Sequence, residues 1–503
     1  MSTSGLNLIE RARAFAEQTA LAGPEGTLTY RDLLALSAQA ASALLNGATD
    51  LSEERVAYMA PAGIHYVATQ WGIWRAGGMA VPLKLRSPLP EIEYVIDDSK
   101  ASVVVAHPEF AAVLKPVAEK RSLRFVTTDN LLEAKSAPLP RLGPDRWAML
   151  LYTSGTTSRP KGVVISHGNI ESQLRSLVQA WEWVPQDRIL LFLPLDHIHG
   201  IVNVLTCALW SGATCEVMPV FDAAKVWERI VSGQLSLFMA VPDVYTRLIA
   251  AWDAAPADSR LAMSLGCRQM RLMVSGSSAL PVPRLERWRE IGGHTLLERY
   301  GMTEIGMALS NPLEGERRPG YVGMPLPGVT VQLTDDDGLP VTEGQPGEIW
   351  VRGPGVFDQY WDRSLATRRS FSEGWFRTGD MAVVEDGYHR ILGRLSADII
   401  KSGGEKVSAL EVEPVVMRHP AVADCAVVGV ADPKWGEAVT AAVVLKPGGK
   451  LTLAQLREFA RESLSPASVP TRLEVLQSLP RNSMGKVMKP ELRRQIEGRP
   501  QPR

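Results

Sequence analysis

Apolar and polar residues alternate along the chain in short blocks that predict an α/β protein. Apolar runs of four to six residues, bounded by Gly, Pro or Asp, are typical of buried strands. Residues 66–74 instead show helical spacing, and this helix is expected to end before Gly77 and Gly78. Strands that alternate with helices predict a sheet covered on both faces. The predicted strands are 55–59, 101–106, 148–152, 189–193, 237–241 and 271–274.

Two later regions follow different patterns. Residues 329–333 and 347–352 alternate in polarity around an acidic turn, which predicts an antiparallel β-rich region. Composition shifts again near residues 393–396, where a small α+β domain is expected to begin. The prediction is therefore a large N-terminal domain (1–394) of layered α/β subdomains plus a β-rich subdomain, and a small C-terminal domain (395–503). Its predicted elements are helices 409–418 and 453–464, strands 425–430, 438–445 and 473–476, and a helix after Pro490.

Composition excludes several classes of protein. The 503 residues are 45% hydrophobic and 22% charged, which are ordinary values for a chain that buries a large core. Lys and Arg number 54 against 55 Asp and Glu, so the formal net charge is −1. Nucleic-acid binders and polybasic membrane binders need a cationic surface, so we expect neither partner. We find no sequence signal for the oligomeric state.

The first thirty residues and the cysteines bear on the compartment. Glu10, Glu17 and Glu25 are unlike a signal peptide's apolar core and unlike an acid-poor transit peptide. No apolar run approaches the eighteen residues of a membrane-spanning helix. The cysteines form no C-x-x-C pair, which predicts reduced, buried thiols rather than zinc ligands or disulfides. We therefore expect a soluble cytoplasmic protein. The cysteines are Cys207, Cys215, Cys267 and Cys425.

Residues 151–162, LYTSGTTSRPKG, have the chemistry of a phosphate-binding loop. A predicted buried strand leads into glycine and hydroxylated residues, whose N–H and O–H groups can bind phosphate oxygens. Lys161 adds a positive charge, although Pro160 and Gly162 distinguish the loop from a Walker A motif. A solvated Ser/Thr-rich turn is the alternative, but the density of such residues favours phosphate. The candidates before the lysine are Thr153, Ser154, Gly155, Thr156 and Thr157.

A second candidate segment, residues 297–304, reads LERYGMTE. Tyr300 can stack on a base, Thr303 can contact phosphate, and Glu304 offers the hard oxygen that Mg²⁺ prefers. The alternative is a strand-to-helix corner in which Glu304 supports a helix N-terminus.

Three further loops carry charges that suit a nucleotide. Residues 374–380 (GWFRTGD) end in Asp380, which can hold a ribose diol. Residues 402–406 and 481–486 are basic, glycine-containing loops of the small domain. A lysine reaching across a cleft can neutralise charge on a transferring phosphoryl group. Each of these loops alone is more typical of solvated surface.

Together and in this order, the motifs resemble the adenylate-forming family of acyl-CoA synthetases, luciferases and peptide-synthetase adenylation domains. The resemblance covers essentially the whole chain. It implies that a carboxylate and MgATP give acyl-AMP and pyrophosphate, after which a thiol accepts the acyl group. It also implies that the small domain is mobile about a hinge near Ser396. The motifs are YTSGTTSRPKG, PLDHIHG, ERYGMTE, GWFRTGD, GRLSADIIKSGGEKVSALEVE and PRNSMGKV.

The resemblance implies nucleotide-binding roles for individual residues. Residues 153–161 would surround the β- and γ-phosphates, with Thr156 and Glu304 assisting Mg²⁺. Asp380 and Arg394 would hold the ribose. The remaining implied nucleotide-site residues, most of which frame the adenine, are Gly276, Ser277, Ser278, Glu298, Tyr300, Gly301 and Thr303.

The resemblance also implies roles in catalysis and thiol binding. Lys486 would bridge the carboxylate and the α-phosphate during adenylation, and Lys406 would be a second basic residue near the phosphates. Gly403 and Gly404 would line the coenzyme A channel. His197 would be a catalytic-site residue that gates the acyl pocket.

Within the family, HTLLERYGMTEIGMALSNP and RLMVSGSSALPVP look closest to the malonyl-CoA synthetase subgroup. In that subgroup an arginine in the motif containing Arg247 binds the substrate's second carboxylate, for which a planar guanidinium is suited. Helical spacing alone would leave Arg247 on the wet side of an amphipathic helix, and the resemblance favours the ligand role. Gly200 and Met307 would set the room at the α-carbon.

We therefore hypothesise an ATP-dependent ligase of fatty acid metabolism that joins malonate to CoA, tolerates methylmalonate, and releases AMP and pyrophosphate. Its partners would be ATP, CoA and a small carboxylate. Another short-chain or aryl carboxylic acid is an alternative substrate, and a carrier-loading adenylation enzyme is an alternative activity. A nucleotide-binding pseudoenzyme is the alternative from a different class, and the presence of Lys486 and Glu304 argues against it.

Overall fold

The structure, a computed structural model, describes residues 6–153, 159–481 and 487–498. The chain divides into two compact units. Unit 1 is Met1–Val331 with Val351–Phe376, and unit 2 is Gln332–Trp350 with Arg377–Arg503. Part of the β-rich region thus groups with the C-terminal residues. The predicted domain boundary at residue 394 stays a prediction. The hinge near Ser396 also stays a prediction, because a division into compact units says nothing about domain motion.

Most helices begin at a polar cap or at proline, as sequence chemistry predicts. Thr29 and Asp32 form a capping box at the second helix, and Ser166 and Asn169 form another at the seventh. A π-helix also covers His199–Thr206. The described α-helices are α1 (Asn7–Ala14), α2 (Tyr30–Leu45), α3 (Ile64–Arg75), α4 (Leu89–Ser99), α5 (Pro108–Lys120), α6 (Thr128–Leu132), α7 (His167–Ala180), α8 (Cys207–Ser211), α9 (Ala223–Val231), α10 (Pro242–Ala254), α11 (Ala257–Arg268), α12 (Val282–Gly292), α13 (Ser364–Ser370), α14 (Ala409–Met417), α15 (Leu453–Arg461) and α16 (Lys489–Glu497).

Every predicted strand is present, within a few residues at each end. The described strands are β1 (Thr19–Gly23), β2 (Gly26–Thr29), β3 (Arg55–Met59), β4 (Met79–Pro82), β5 (Val103–Ala106), β6 (Arg124–Thr127), β7 (Trp147–Thr153), β8 (Lys161–Ser166), β9 (Arg188–Leu191), β10 (Thr214–Val217), β11 (Leu237–Ala240), β12 (Leu272–Ser275), β13 (Leu297–Met302), β14 (Gly306–Ser310), β15 (Met324–Pro325), β16 (Thr330–Thr334), β17 (Gly347–Arg352), β18 (Gln359–Tyr360), β19 (Phe371–Ser372), β20 (Trp375–Glu385), β21 (Tyr388–Arg394), β22 (Ile399–Ser402), β23 (Glu405–Ser408), β24 (Val422–Asp432), β25 (Gly436–Leu445) and β26 (Arg472–Val475).

Unit 1 contains two large sheets. One has the order β15-β14-β13-β12-β11-β9-β10-β1-β2, and the other has the order β18-β8-β7-β4-β3-β5-β6. Strands β9, β11, β12 and β13 run parallel, so their carboxyl ends lie at the same edge. Ligands of α/β sheets bind at such edges. The segments after these four strands contain PLDHIHG, Arg247, Gly276 and Glu304 respectively, which positions the candidate site.

Unit 2 contains most of the β-rich region and a small α+β fold. Strands β16 and β17 are neighbours, and β17 continues to β20, as the alternation predicted. In the C-terminal sheet, β23-β22-β25-β24, alternate residues of β24 face opposite sides. Val427 packs in one apolar cluster with α14 and α15, whereas Val428 packs in another with α16. The predicted mixed α/β architecture is therefore confirmed.

All four cysteines are free and buried, as predicted, and burial raises the pKa of each thiol. Among the described residues, we find no helix with both the length and the apolar character needed to cross a bilayer.

Candidate active site

The base of the predicted phosphate loop is a β-hairpin. Thr153, the last residue of β7, pairs with Lys161, the first residue of β8. The Lys161 ammonium lies 4.6 Å from the centre of the Tyr360 ring, within cation–π distance. This contact places the ammonium of the predicted phosphate lysine over the Tyr360 ring. The predicted residues Ser154, Gly155, Thr156 and Thr157 lie outside the described residues.

Tyr360 also contacts the candidate magnesium ligand. Its hydroxyl donates to Glu304 Oε1 at 2.9 Å, and Glu304 is only 6% exposed. One tyrosine therefore connects Lys161 with Glu304, two residues that are distant in sequence. A buried carboxylate that is connected through Tyr360 to Lys161 offers a hard oxygen that fits Mg²⁺. Sequence reasoning missed Tyr360, because it lies outside every motif that carried the resemblance.

Gly276, Ser277 and Ser278 follow β12, and the β12–β13 register places them beside Glu298. A Cβ at Gly276 would lie 2.5 Å from the guanidinium carbon of Arg299, so a side chain there would displace this guanidinium. Ser277 has a left-handed backbone, with φ of 70°. The predicted adenine segment is thus brought against β13.

Strand β13 contributes Glu298, Tyr300 and Gly301. Glu298 is 6% exposed and its Oε1 accepts from Gly320 N at 2.8 Å. Burial raises the pKa of Glu298 to about 7. A Cβ at Gly301 would meet the Gly306 carbonyl oxygen at 2.1 Å, which explains the glycine. Tyr300, Gly301 and the following Thr303 are half-buried.

The raised pKa of Glu298 predicts a pH-dependent stability. A carboxyl whose pKa rises from 4.5 to about 7 on folding costs stability as pH rises between those values. Glu298→Gln removes this cost and keeps the oxygen that accepts from Gly320. Relative to wild type, the variant should gain about 2 kcal/mol of unfolding free energy between pH 5.5 and pH 8, from about 1.5 pH units at 1.36 kcal/mol each. Urea unfolding at both pH values measures this, and an equal difference at both would contradict it.

Arg299, the neighbour of Glu298, is a buried charge that sequence reasoning missed. It is 4% exposed, and burial lowers its pKa to about 10, so it stays charged at neutral pH. Its Nε and Nη2 atoms have no hydrogen-bond partner among the described residues. Buried guanidinium nitrogens without partners are costly, and an anionic ligand would supply such partners. The available signal was a basic residue inside the motif LERYGMTE, to which no role was given.

The π-helix adds polar groups to the same region. His199 is buried, with Nδ1 3.1 Å from Ser277 Oγ and Nε2 unpartnered among the described residues. Burial and then the nearby Arg299 charge lower the pKa of His199, so its ring is neutral. Asn203, about one turn further along, and Ser275 also have unpartnered buried side-chain atoms. Because π-helices are frequent at functional sites, this segment is typical of a built polar site.

The predicted acyl-pocket residues have different environments. His197 is 45% exposed beside Asp196, with Nε2 and Oδ2 3.4 Å apart. Gly200 is buried, and a Cβ there would lie 2.4 Å from the Pro194 carbonyl oxygen. Met307 is buried, and its backbone N–H donates to the Gln173 side chain. Gating by His197 and control of α-carbon space by Gly200 and Met307 stay predictions.

Arg247 lies on the exposed side of α10, whose inner residues Val244 and Leu248 are buried. Its guanidinium carbon lies 4.4 Å from the centre of the Phe221 ring. In this structure the contact is a cation–π interaction rather than an ion pair. The ligand role of Arg247 stays a prediction.

Unit 2 brings Asp380 and Arg394 together. They are paired in the β20–β21 register, and Arg394 Nε donates to Asp380 Oδ1 at 3.0 Å. Asp380 is 7% exposed. The two predicted ribose residues therefore form one unit, and their contact with ribose stays a prediction.

The small-domain loops have a tight turn and a paired lysine. Gly403 and Gly404 join β22 to β23 with φ of 60° and 87°, a conformation that favours glycine. Lys406 Nζ lies 2.8 Å from Asp336 Oδ1, so its charge is compensated within unit 2. The predicted catalytic residue Lys486 lies outside the described residues.

Two family models and several named proteins match this chain. The model of the family described as AMP-binding enzyme matches residues 8–361, and that of the AMP-binding enzyme C-terminal domain matches residues 411–486. The Bos taurus protein named malonate–CoA ligase ACSF3, mitochondrial, is 46% identical over 97% of this chain and 89% of its own length. The Arabidopsis thaliana malonate–CoA ligase is 40% identical over 90% of this chain and 79% of its own length.

Solved structures agree with these matches. ATP-bound MatB from Rhodopseudomonas palustris has a TM-score of 0.88 at 33% identity and covers 98% of this chain and 99% of its own. O-succinylbenzoate coenzyme A synthetase (MenE) from Bacillus subtilis, in complex with ATP and a magnesium ion, has a TM-score of 0.84 at 28% identity, covering 97% and 99% respectively.

One expectation is wrong by this comparison. The vertebrate relatives, at 45–46% identity, are named as mitochondrial, which contradicts the predicted cytoplasmic location. The acidic residues of positions 6–30 belong to α1, β1, β2 and their connections, so they reflect the fold rather than the compartment.

The predicted resemblance to the adenylate-forming family is confirmed by both family models and by relatives that match nearly the whole chain. The chain belongs to the family of AMP-binding enzymes.

Proposed function

We propose that the protein is an ATP-dependent ligase that joins malonate to CoA through malonyl-AMP, releasing AMP and pyrophosphate. The observation that carries this proposal is Arg299, a buried cation with unpartnered nitrogens among the described residues, beside His199. Malonate differs from simple fatty acids by a second carboxylate, which needs a cationic partner when it is buried. The names of the bovine and Arabidopsis relatives support the same substrate.

The buried polar groups around Arg299 support discrimination between acids as well as binding of malonate. A monocarboxylate would leave the Arg299 guanidinium and His199 Nε2 unsatisfied, and such unpaired groups reject analogues strongly. Asn203 and Ser275 offer further hydrogen bonds in the same region. The second carboxylate would therefore set the specificity for the acid. An α-methyl group, as in methylmalonate, would lie beside Met307 and would be tolerated.

Arg247 is a second candidate partner for that carboxylate. Its guanidinium is more exposed than that of Arg299 and contacts Phe221, so it would have to leave this ring to reach a buried substrate.

The nucleotide half of the proposal rests on Lys161, Tyr360 and Glu304. The Lys161 ammonium would stabilise the leaving pyrophosphate, and the tyrosine hydroxyl orients the carboxylate. Mg²⁺, when bound, neutralises phosphate charge, with Glu304 and Thr156 as the proposed ligands. Asp380 and Arg394 would hold the ribose, and Lys486 would bridge the carboxylate and α-phosphate.

In the second half-reaction, the CoA thiol replaces AMP on the acyl group. Gly403 and Gly404 would leave room for the pantetheine arm, since neither has a side chain. Lys406 would add positive charge near the phosphates only after release from Asp336.

Pyrophosphate release from MgATP, measured with and without CoA, tests the function. The acids would be malonate, methylmalonate, succinate, acetate, octanoate and benzoate. We expect CoA-dependent turnover with malonate, weaker turnover with methylmalonate and at least about 100-fold lower kcat/KM with acetate. A preference for a monocarboxylate would contradict the substrate but keep the ligase. Poor transfer to free CoA would indicate a carrier-loading enzyme, and ATP binding without turnover of any acid would indicate a pseudoenzyme.

A further inference from the structure

The base of the phosphate loop is connected to a helix that no sequence motif includes. Asp98 lies near the end of α4, and its side chain is only 10% exposed. The Tyr152 hydroxyl donates to Asp98 Oδ2 at 2.9 Å. Tyr152 lies on β7, immediately before Thr153 and the loop. The incoming end of the loop is therefore anchored to α4.

The outgoing end of the loop is anchored to the same helix. Tyr94, one turn before Asp98, donates its hydroxyl to the Pro160 carbonyl oxygen at 2.8 Å. The same hydroxyl lies 3.2 Å from Asp98 Oδ1, and Arg159 lies over the Tyr94 ring at 5.5 Å. Pro160 immediately precedes β8. The two tyrosine rings also pack edge to face, with centres 6.3 Å apart.

A cation and an indole complete the network around Asp98. Arg363 Nη2 lies 2.5 Å from Asp98 Oδ1, and Trp361 Nε1 donates to the Asp98 carbonyl oxygen at 3.1 Å. The Trp361 backbone N–H donates to the Gly162 carbonyl oxygen at 2.8 Å, which ties this segment to β8. A buried carboxylate with a guanidinium partner and a hydroxyl donor is satisfied as an anion.

We propose that Asp98 is a positioning residue for the triphosphate, acting through Tyr152 and Tyr94. This inference rests on the proposed function as an ATP-using ligase. Fixing the backbone of the residues that surround bound phosphates costs conformational entropy. Anchoring both ends of the loop to α4 reduces that cost before ATP binds, as preorganisation does generally. Neither tyrosine needs to contact the nucleotide for this effect.

Calorimetric binding of MgATP and AMP to Tyr152→Phe and Tyr94→Phe tests the proposal. Both substitutions keep the rings and remove one hydroxyl. Because AMP lacks the β- and γ-phosphates, we expect a selective effect: the Kd of ATP should rise about 5- to 10-fold, the scale of one lost hydrogen bond, and that of AMP less than twofold. The double variant should show a larger loss for ATP alone.

Tyr30→Phe is the matched control. Tyr30 is a fully buried tyrosine whose hydroxyl donates to the Ala213 carbonyl oxygen at 2.7 Å, away from the loop. It should lose stability comparably and leave the ATP-to-AMP affinity ratio unchanged. Reaction of supplied malonyl-AMP with CoA should also be unchanged in Tyr152→Phe and Tyr94→Phe, because the triphosphate is absent from that step.

Equal weakening of ATP and AMP binding, or unchanged ATP binding, would overturn the positioning role. A lowered melting temperature with a wild-type affinity ratio would do the same, because it would show a purely structural network. Failure of the wild-type enzyme to use malonate would overturn the substrate proposal alone, since the two binding measurements need no acid.

Discussion

Arg299→Met is expected to lower kcat/KM for malonate by about 10²- to 10³-fold, the largest loss expected from a substitution in the acyl site. Methionine keeps an unbranched apolar stem and removes the guanidinium, so a bound second carboxylate would lose its buried cation. Breaking such a buried pair costs about 3–5 kcal/mol. Pyrophosphate release at varied malonate measures the loss, while the KM of ATP should stay within about twofold.

Two comparisons separate this role from a structural one. Among the described residues, the Arg299 Nε and Nη2 atoms have no partner without ligand, so removal of this buried charge should leave the melting temperature unchanged or higher. Activity with acetate, which has no second carboxylate, should stay the same or increase. Arg299→Lys should rescue only partly, because an ammonium lacks the planar fork.

Arg247→Met is the matched control on α10. The substitution removes the same group from an exposed position, where charge pairs contribute about 1 kcal/mol or less, so we expect less than about a tenfold loss with malonate. A loss above 100-fold in Arg247→Met, with Arg299→Met near wild type, would assign the distal carboxylate to Arg247 instead.

Glu304→Gln is expected to lower the rate of malonate-dependent pyrophosphate release by about 10²- to 10³-fold. Glutamine has the same shape and can still accept from the Tyr360 hydroxyl, but it cannot neutralise Mg²⁺. Calorimetry adds a readout independent of activity, because Mg²⁺ should no longer strengthen ATP binding in this variant. Coupling of supplied malonyl-AMP to CoA should be unaffected, because pyrophosphate has already left.

Tyr360→Phe is a milder change at the same contact and is compared with Glu304→Gln. It keeps the aromatic ring over which Lys161 lies and removes only the hydroxyl that donates to Glu304. We expect about a tenfold loss and a higher Mg²⁺ concentration for half-maximal rate. Wild-type rates in Glu304→Gln, or a larger loss in Tyr360→Phe than in Glu304→Gln, would contradict the assignment of Glu304.

Much of the fold was predictable because strand and helix patterns are local. Residues 55–59 and 347–352 became β3 and β17 with the predicted limits, since apolar runs between turn residues have few other stable conformations. The last helix was predicted to start after Pro490 and begins one residue before it, at Lys489, with that proline in its first turn, as proline's backbone geometry favours. Motif order was also sufficient to identify the family, because each loop chemistry is encoded within a few consecutive residues.

Contacts between side chains that are distant in sequence could not be predicted from local patterns. The sequence singled out Asp380 and Arg394 as separate ribose candidates, and their 3.0 Å contact needed the β20–β21 register. Tyr360 carried no motif, and only folding places it between Lys161 and Glu304. Asp98 likewise gains its connection to the phosphate loop from α4 packing against β7 and the segment around residue 160.

Arg247 and Arg299 show what the sequence alone determined and what depended on the tertiary structure. Residue chemistry alone established that an arginine suits a second carboxylate, and helical spacing alone placed Arg247 on an exposed face. Which arginine is buried without a partner among the described residues depends on the parallel register of β12 and β13 and on the close approach that Gly276 allows. Charge is a property of a residue, but desolvation and pairing are properties of its neighbours, and those neighbours come from distant parts of the chain.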